Sequence, residues 1–314
     1  MIGGFLELEL ADKKSYHPEA LALNTGRNCL VYLFQARNIK KLHLPHYICD
    51  SVITTAREHE IDIQFYTLNE DFTPNLDQYT NQSNEYILYV NYFGACEEIV
   101  NTLIEKGLHL IIDNNHAFYS SPHSGVDTFY SPRKFFGVPD GGYLYTNVSP
   151  SFELEQDMSS DRFTHLLNRI DKGFVASYHD YEENEVRLDH VPLKRMSKLT
   201  GRVLKSIDYV AVQKRRIENM RLYHQALGDK NTLPLTAKLT AAAHTYPFMA
   251  DNAEAVRQNL FSKGVYPFQY WKKVLARVDS QTFEYALSEN IIGLPMDQRY
   301  TEEDIKKVIA IVKG

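Results

Sequence analysis

Apolar positions in the first half of the chain fall in short runs separated by stretches with helical spacing. After the turn Asn24-Thr25-Gly26, the segment NCLVYLFQAR carries Leu30, Leu33 and Phe34 on one face, as a half-buried helix does. Residues 41–44 read as strand-like and stop at Pro45, and 47–59 have the pattern of a second helix. Strands are expected at 62–66 and at 86–90, where the β-type run YILYV closes on Asn91-Tyr92-Phe93-Gly94. Residues 96–106 return to helical spacing with Gly107 as the stop, and 108–112 form another buried strand ending on Asp113. Strands alternating with helices predict a parallel or mixed sheet covered on both faces, with ligands beyond the carboxyl ends of the strands. Asn91 and Asp113 both fall at such ends.

A long helical stretch follows over 197–227, broken at most mildly, with Leu199, Val203, Leu204, Ile207 and Val210 on its buried stripe. The pattern then changes to a smaller α+β unit. It holds a strand at 245–249, a helix capped by Asp251 and ending at Lys263-Gly264, and a final strand, IIGLPM. Thr301 opens a closing helix, with Glu302, Glu303 and Asp304 in its first turn. The expected architecture is α/β: a large domain over 10–225 with a mostly parallel mixed sheet between helices, and a small C-terminal α+β domain over 226–314. Residues 1–9 are expected to pack on the small domain.

Composition narrows the function classes. The chain has 314 residues, 44% hydrophobic and 24% charged, the ordinary balance of a globular protein. A net charge of -6 argues against a nucleic-acid surface. No apolar run approaches a bilayer-spanning length, and the start, MIGGFLELEL, lacks the basic region and unbroken apolar core of a secretory signal. Cys29, Cys49 and Cys96 are scattered and odd in number, which fits free thiols in a reducing compartment. A cytoplasmic protein is expected. His43, His46 and Cys49 have a metal-like spacing, but no further ligand cluster follows and His43 lies in the strand-like run, so no metal is expected. The absence of G-x-G-x-x-G and of G-x-S-x-G disfavours a nicotinamide enzyme and a serine hydrolase.

The chemistry concentrates in residues 111–146. An aspartate at a buried strand's end, Asp113, is followed by Lys134 in SPRKFFGV, and then by the turn Asp140-Gly141-Gly142 leading into a strand. Pyridoxal phosphate needs these parts: a lysine amine for its aldehyde, a carboxylate for its ring nitrogen, and hydroxyls and backbone N–H groups for its phosphate. Each residue has a plainer reading as well. Lys134 beside Arg133 could be an exposed basic pair, although the apolar residues after it are unusual for one. Asp113 could cap a turn, Ser131 could serve the turn at Pro132, and His116, Arg27 and Asn91 could be ordinary loop or helix-start residues.

Taken in order, these elements resemble the DegT/DnrJ/EryC1/StrS family of sugar aminotransferases. The likeness runs through LNTGRN at 23–28, LPHYIC at 44–49, DNNHA at 113–117, SPRK at 131–134 with DGG at 140–142, KRMS at 194–197, and IGLPM at 292–296 before Thr301. The resemblance implies fold type I and pyridoxal 5'-phosphate, with Lys134 as the Schiff-base lysine and Asp113 as the partner of the ring nitrogen. It places Gly26, Arg27, Asn28 and Ser131 at the phosphate, and His116 and Asn91 at the ring oxygen. Tyr270 or Trp271 would contact the acceptor. Leu193 stands where the family has an asparagine that reaches a neighbouring subunit's phosphate, and the family's ring-stacking aromatic has no obvious counterpart in the stretch holding Tyr47 and Cys49. The implied protein is a homodimer. Its reaction is a ping-pong transamination from an amino donor, glutamate by analogy, to a keto group on a nucleotide-linked sugar, in cell-surface polysaccharide or related sugar biosynthesis. Two other readings stay open: a dehydratase or lyase of the same fold, and a catalytically silent binding relative.

Overall fold

A computed structural model describes residues 2–150 and 152–314. Among the described residues the main sheet has seven strands: β1 (Leu21–Leu23), β2 (Lys41–Pro45), β3 (Asp62–Tyr66), β4 (Glu85–Val90), β5 (Leu110–Asp113), β6 (Asp127–Tyr130) and β7 (Gly142–Tyr145). They lie in the order β1-β7-β6-β5-β4-β2-β3. Strand pairs from β6 through β3 are parallel, and β7 runs against both of its neighbours. Every residue of β4, β5 and β6 is buried, as expected for central strands covered on both faces.

Helices α1 (Gly26–Ala36), α2 (Asp50–Glu58) and α3 (Glu97–Glu105) make the crossovers. The expected second helix begins three residues late, because Tyr47 and Ile48 lie in a bend after β2 and sink fully into the core. The chain continues through α4 (Thr164–Asp189), α5 (Lys198–Lys205) and α6 (Tyr209–Leu227). The single helix expected over 197–227 is thus two: Ser206 closes α5, and the Asp208 side chain accepts the Ala211 N–H at 3.0 Å to open α6. Val210, placed on the buried stripe by the sequence pattern, is 79% exposed.

Helix α4 has no counterpart in the sequence reading. It buries only His165, Ser177, Asn184 and Leu188, and its backbone breaks at Gly173 (φ 81°), so no apolar stripe announces it. The C-terminal unit pairs β8 (Tyr246–Met249) antiparallel with β9 (Ile291–Leu294) and packs them with α7 (Ala253–Ser262), α8 (Phe283–Asn290) and α9 (Glu302–Lys313). Thr301 and Asp304 form the reciprocal cap of α9, whereas α7 starts after Asn252, one residue beyond the expected cap Asp251. One continuous apolar core joins this unit to the main sheet. Ahead of β1, residues 7–13 meet α5: the Lys13 N–H donates to the Lys205 carbonyl, and Arg202 pairs with Glu7 and Asp12. No helix among the described residues is long and apolar enough to cross a membrane.

Candidate active site

The carboxyl end of the parallel strands gathers the chemistry. β5 delivers Asp113 there, 6% exposed, and the turn that follows carries Asn115 and His116. Beyond β6, a single helical turn at Pro132–Lys134 splits its two cations. Arg133 pairs with Glu185 of α4, while the charge of Lys134 acts on Asp113, His116 and His244. Lys134 makes no side-chain hydrogen bond or ion pair among the described residues, and Phe135 and Phe136 behind it are buried, in the apolar setting anticipated for it. The N-terminus of α1 forms the adjoining wall. A Cβ on Gly26 would lie 3.6 Å from the Ser131 Cβ and 3.7 Å from the Asn115 Oδ1, so its lack of a side chain keeps this corner open. The next glycine turn is pressed on the same helix: a Cβ on Gly142 would meet the Thr25 carbonyl oxygen at 2.5 Å.

Burial governs the electrostatics. It pushes the Asp113 carboxyl up to about 6, against a backbone N–H from Asn115 at 2.8 Å and the charge of Lys134. It holds the imidazoles of His116 and His244 well below the ordinary histidine value, with the charge of Lys134 acting in the same direction. Both rings are therefore neutral at pH 7. Several polar atoms here are buried without a partner: Asn115 Oδ1, His116 Nδ1 and His244 Nδ1. Buried polar groups are nearly always satisfied, so a cluster of exceptions beside an unpaired amine marks a place built to receive polar atoms from elsewhere.

Neither a family model nor a curated protein matches this sequence. Solved structures do. The chain is similar to a DegT DnrJ EryC1 StrS aminotransferase from Brucella abortus, with a TM-score of 0.66 and 19% identity over 94% of this chain and 85% of that one. DesV of S. venezuelae, solved in complex with a ketimine intermediate, gives a TM-score of 0.66 at 15% identity, over 94% of this chain and 84% of that one. Spr1654 from Streptococcus pneumoniae in its PLP-form gives 0.64 at 14%, over 94% and 86%. The fold is that of the DegT/DnrJ/EryC1/StrS sugar aminotransferases. The fold type I architecture expected from the sequence is thus the one found.

Within this aminotransferase fold, Lys134, Asp113, His116, Ser131 and Gly26 come together at the carboxyl end of the sheet. Four other candidates are held away by the protein itself. Arg27 turns outward to pair with Asp189 at the end of α4. Asn28 gives its amide N–H groups to Asn24 Oδ1 at 2.7 Å and to the carbonyls of Val191 and Pro192, pinning that loop. Asn91 donates to Asn114 Oδ1 at 3.1 Å and to Glu97, and accepts the Cys96 N–H at 3.1 Å, so its amide shapes the turn after β4. Tyr270 is 1% exposed and shares a hydrogen bond of 2.5 Å with Thr245, which removes its hydroxyl from any acceptor. Trp271 lies against His116, ring centres 5.3 Å apart.

Sequence reasoning missed Asn115 and His244. Asn115 sits inside the quoted motif but resembles a turn residue. His244 lies far along the chain, joined to His116 through its own N–H and the His116 carbonyl at 3.3 Å, and no local spacing signals that. The metal-like trio is dispersed: His43 bonds Glu85 at 2.7 Å, His46 stacks on Phe65, and Cys49 accepts from Ser51.

Proposed function

We propose that this protein is a pyridoxal-phosphate-dependent aminotransferase that moves an amino group from an amino acid, glutamate by analogy, to a keto group of a nucleotide-linked sugar. The observation that carries the reading is the buried carboxyl of Asp113 at the carboxyl end of the sheet, within electrostatic reach of the unpaired amine of Lys134. The residues present fit the cofactor. The corner at Gly26, Ser131 and the start of α1 suits a phosphate, since the first N–H groups of a helix have no intrahelical acceptor. The orphaned Nδ1 of His116 suits a ring substituent, and Asp113 suits the ring nitrogen. Bound there, pyridoxal phosphate would supply an aldehyde and an electron-withdrawing ring.

The chain's own groups do the rest. Lys134 Nζ takes a proton from the donor's α-carbon and later returns one, acting as base and then acid. The Asp113 carboxylate would hold the bound cofactor's ring nitrogen in its protonated form, and that positive charge would relieve the cost of an ionised carboxyl in the interior. Phe135 and Phe136 keep water from the apolar side of Lys134. We place the protein in the cytoplasm, in surface-polysaccharide or related sugar synthesis, as a homodimer of chains with a domain over 10–225 and another over 226–314. Support for the dimer comes from α4, which leaves Ile170 and Val175 83% and 79% exposed.

The test is purified protein supplied with pyridoxal phosphate, glutamate and a panel of nucleotide keto-sugars. A visible absorbance band and amino-sugar products by mass spectrometry are expected. Lys134→Ala should remove the band and cut turnover about a thousandfold or more. Wild-type protein with no band and no product overturns the reading in favour of a silent binding relative, and a Lys134→Ala variant as active as wild type overturns the role of Lys134.

A further inference from the structure

Among the described residues, Trp271 is the one ring beside His116, other than the imidazole of His244, that is both nearly parallel to it and partly exposed. Its plane lies 15° from the His116 ring, with its edge on Tyr47 at 4.6 Å. Phe93 and His244 are also nearly parallel to His116, at 17° and 16°, but Phe93 is sealed in the core, and His244, itself half-buried, is a smaller imidazole whose Nδ1 is buried without a partner. Tyr270 stands at a steep 63° with its hydroxyl occupied. Trp271 is half-buried and forms the outermost member of this wall.

Its backbone is held for the purpose. Trp271 adopts φ 42° and ψ 53°, a left-handed conformation rare for a bulky side chain and kept only where neighbours enforce it. The Ser288 hydroxyl of α8 donates to the Trp271 carbonyl at 3.1 Å, and the Val274 N–H donates to it at 2.8 Å. The segment before α2 offers no competing ring. Tyr47 is 0% exposed and edge-on to the indole, and Cys49 carries a thiol. Two of the rings packed on the indole, His116 and Tyr47, each carry a buried polar atom without a partner, Nδ1 and the hydroxyl.

We propose that Trp271 is the aromatic plate of the Lys134 site, the ring against which a flat heterocycle lies, supplied by the C-terminal unit and not by the segment between β2 and α2. This rests on the aminotransferase reading above. Because Trp271 is the only tryptophan, fluorotryptophan incorporated into the full-length protein gives one fluorine resonance. Ring-current shifts act only at short range, so titration with pyridoxal phosphate should move that resonance in step with the visible band. Trp271→Ala should weaken pyridoxal phosphate binding about five- to tenfold, and Trp271→Phe should hold it within about twofold, the scale of one aromatic stacking contact. A band that forms while the resonance stays in place, or a Trp271→Ala variant that binds like wild type, overturns the plate and leaves the aminotransferase reading standing. A wild-type protein that forms no band overturns both.

Discussion

Two buried carboxylates on neighbouring strands behave in opposite ways. Glu85 opens β4 at the amino end of the sheet, and Asp113 closes β5 at the carboxyl end. Burial works against the charge of both. Around Glu85, donors from Thr80, His43 and Gln82 outweigh that cost and bring its carboxyl down to about 2, with Lys41 a further 3.4 Å away. Around Asp113 the donors come from Asn115 alone, and the carboxyl stays up at about 6. The same contrast holds for the histidines: His43 is bonded to Glu85, whereas His116 and His244 keep an unpartnered nitrogen. The polar groups around Glu85 are thus satisfied within the protein, and those around Asp113 are left for a ligand to complete.

The contrast can be broken from either end. Glu85→Ala should cost about 3–5 kcal/mol in urea unfolding, because it leaves His43 and the Thr80 turn without their acceptor, while pyridoxal phosphate affinity stays within about twofold. A large loss of affinity in a folded variant would erase the division between the two ends of the sheet. Asp113→Asn should do the reverse, stabilising the cofactor-free protein while abolishing tight cofactor binding. The sign follows from a folded pKa raised from 3.8 to about 6. The folded state binds the extra proton, so the penalty is absent below pH 3.8, grows as pH rises and is complete above about 6. The gain should therefore reach about 3 kcal/mol at pH 7.5 and vanish near pH 3.5 in paired unfolding curves. Tyr270→Phe is the mildest change, about 1 kcal/mol from the lost bond to Thr245. The acceptor KM should be unchanged, and a shift in it would return Tyr270 to the substrate pocket.

Much of the site was legible because it is local. Asp113, His116, Ser131 and Lys134 lie within one stretch of chain whose strands are unbroken apolar runs, and an apolar run fixes where the strand ends and so which residue reaches the open edge. Gly26 was legible for a similar reason, at a helix start after a turn. The partners of Arg27, Asn28 and Asn91 were not legible, because a motif names a residue without naming what it bonds. Asp189, Val191, Cys96 and Asn114, which occupy those side chains, belong to other elements or turns. Helix α4 escaped for the opposite reason: its apolar residues point outward, so no period marks it.

By itself the amino-acid sequence determined the alternation of strands and helices, and with it the α/β class and the end of the sheet where Asp113 and Lys134 must lie, because periodicity is a property of neighbours along the chain. Tertiary structure alone decided which polar atoms were left without partners and which aromatic covers them. His244 and Trp271 arrive from more than a hundred residues away, and hydrogen-bond satisfaction and burial depend on what is packed together in space.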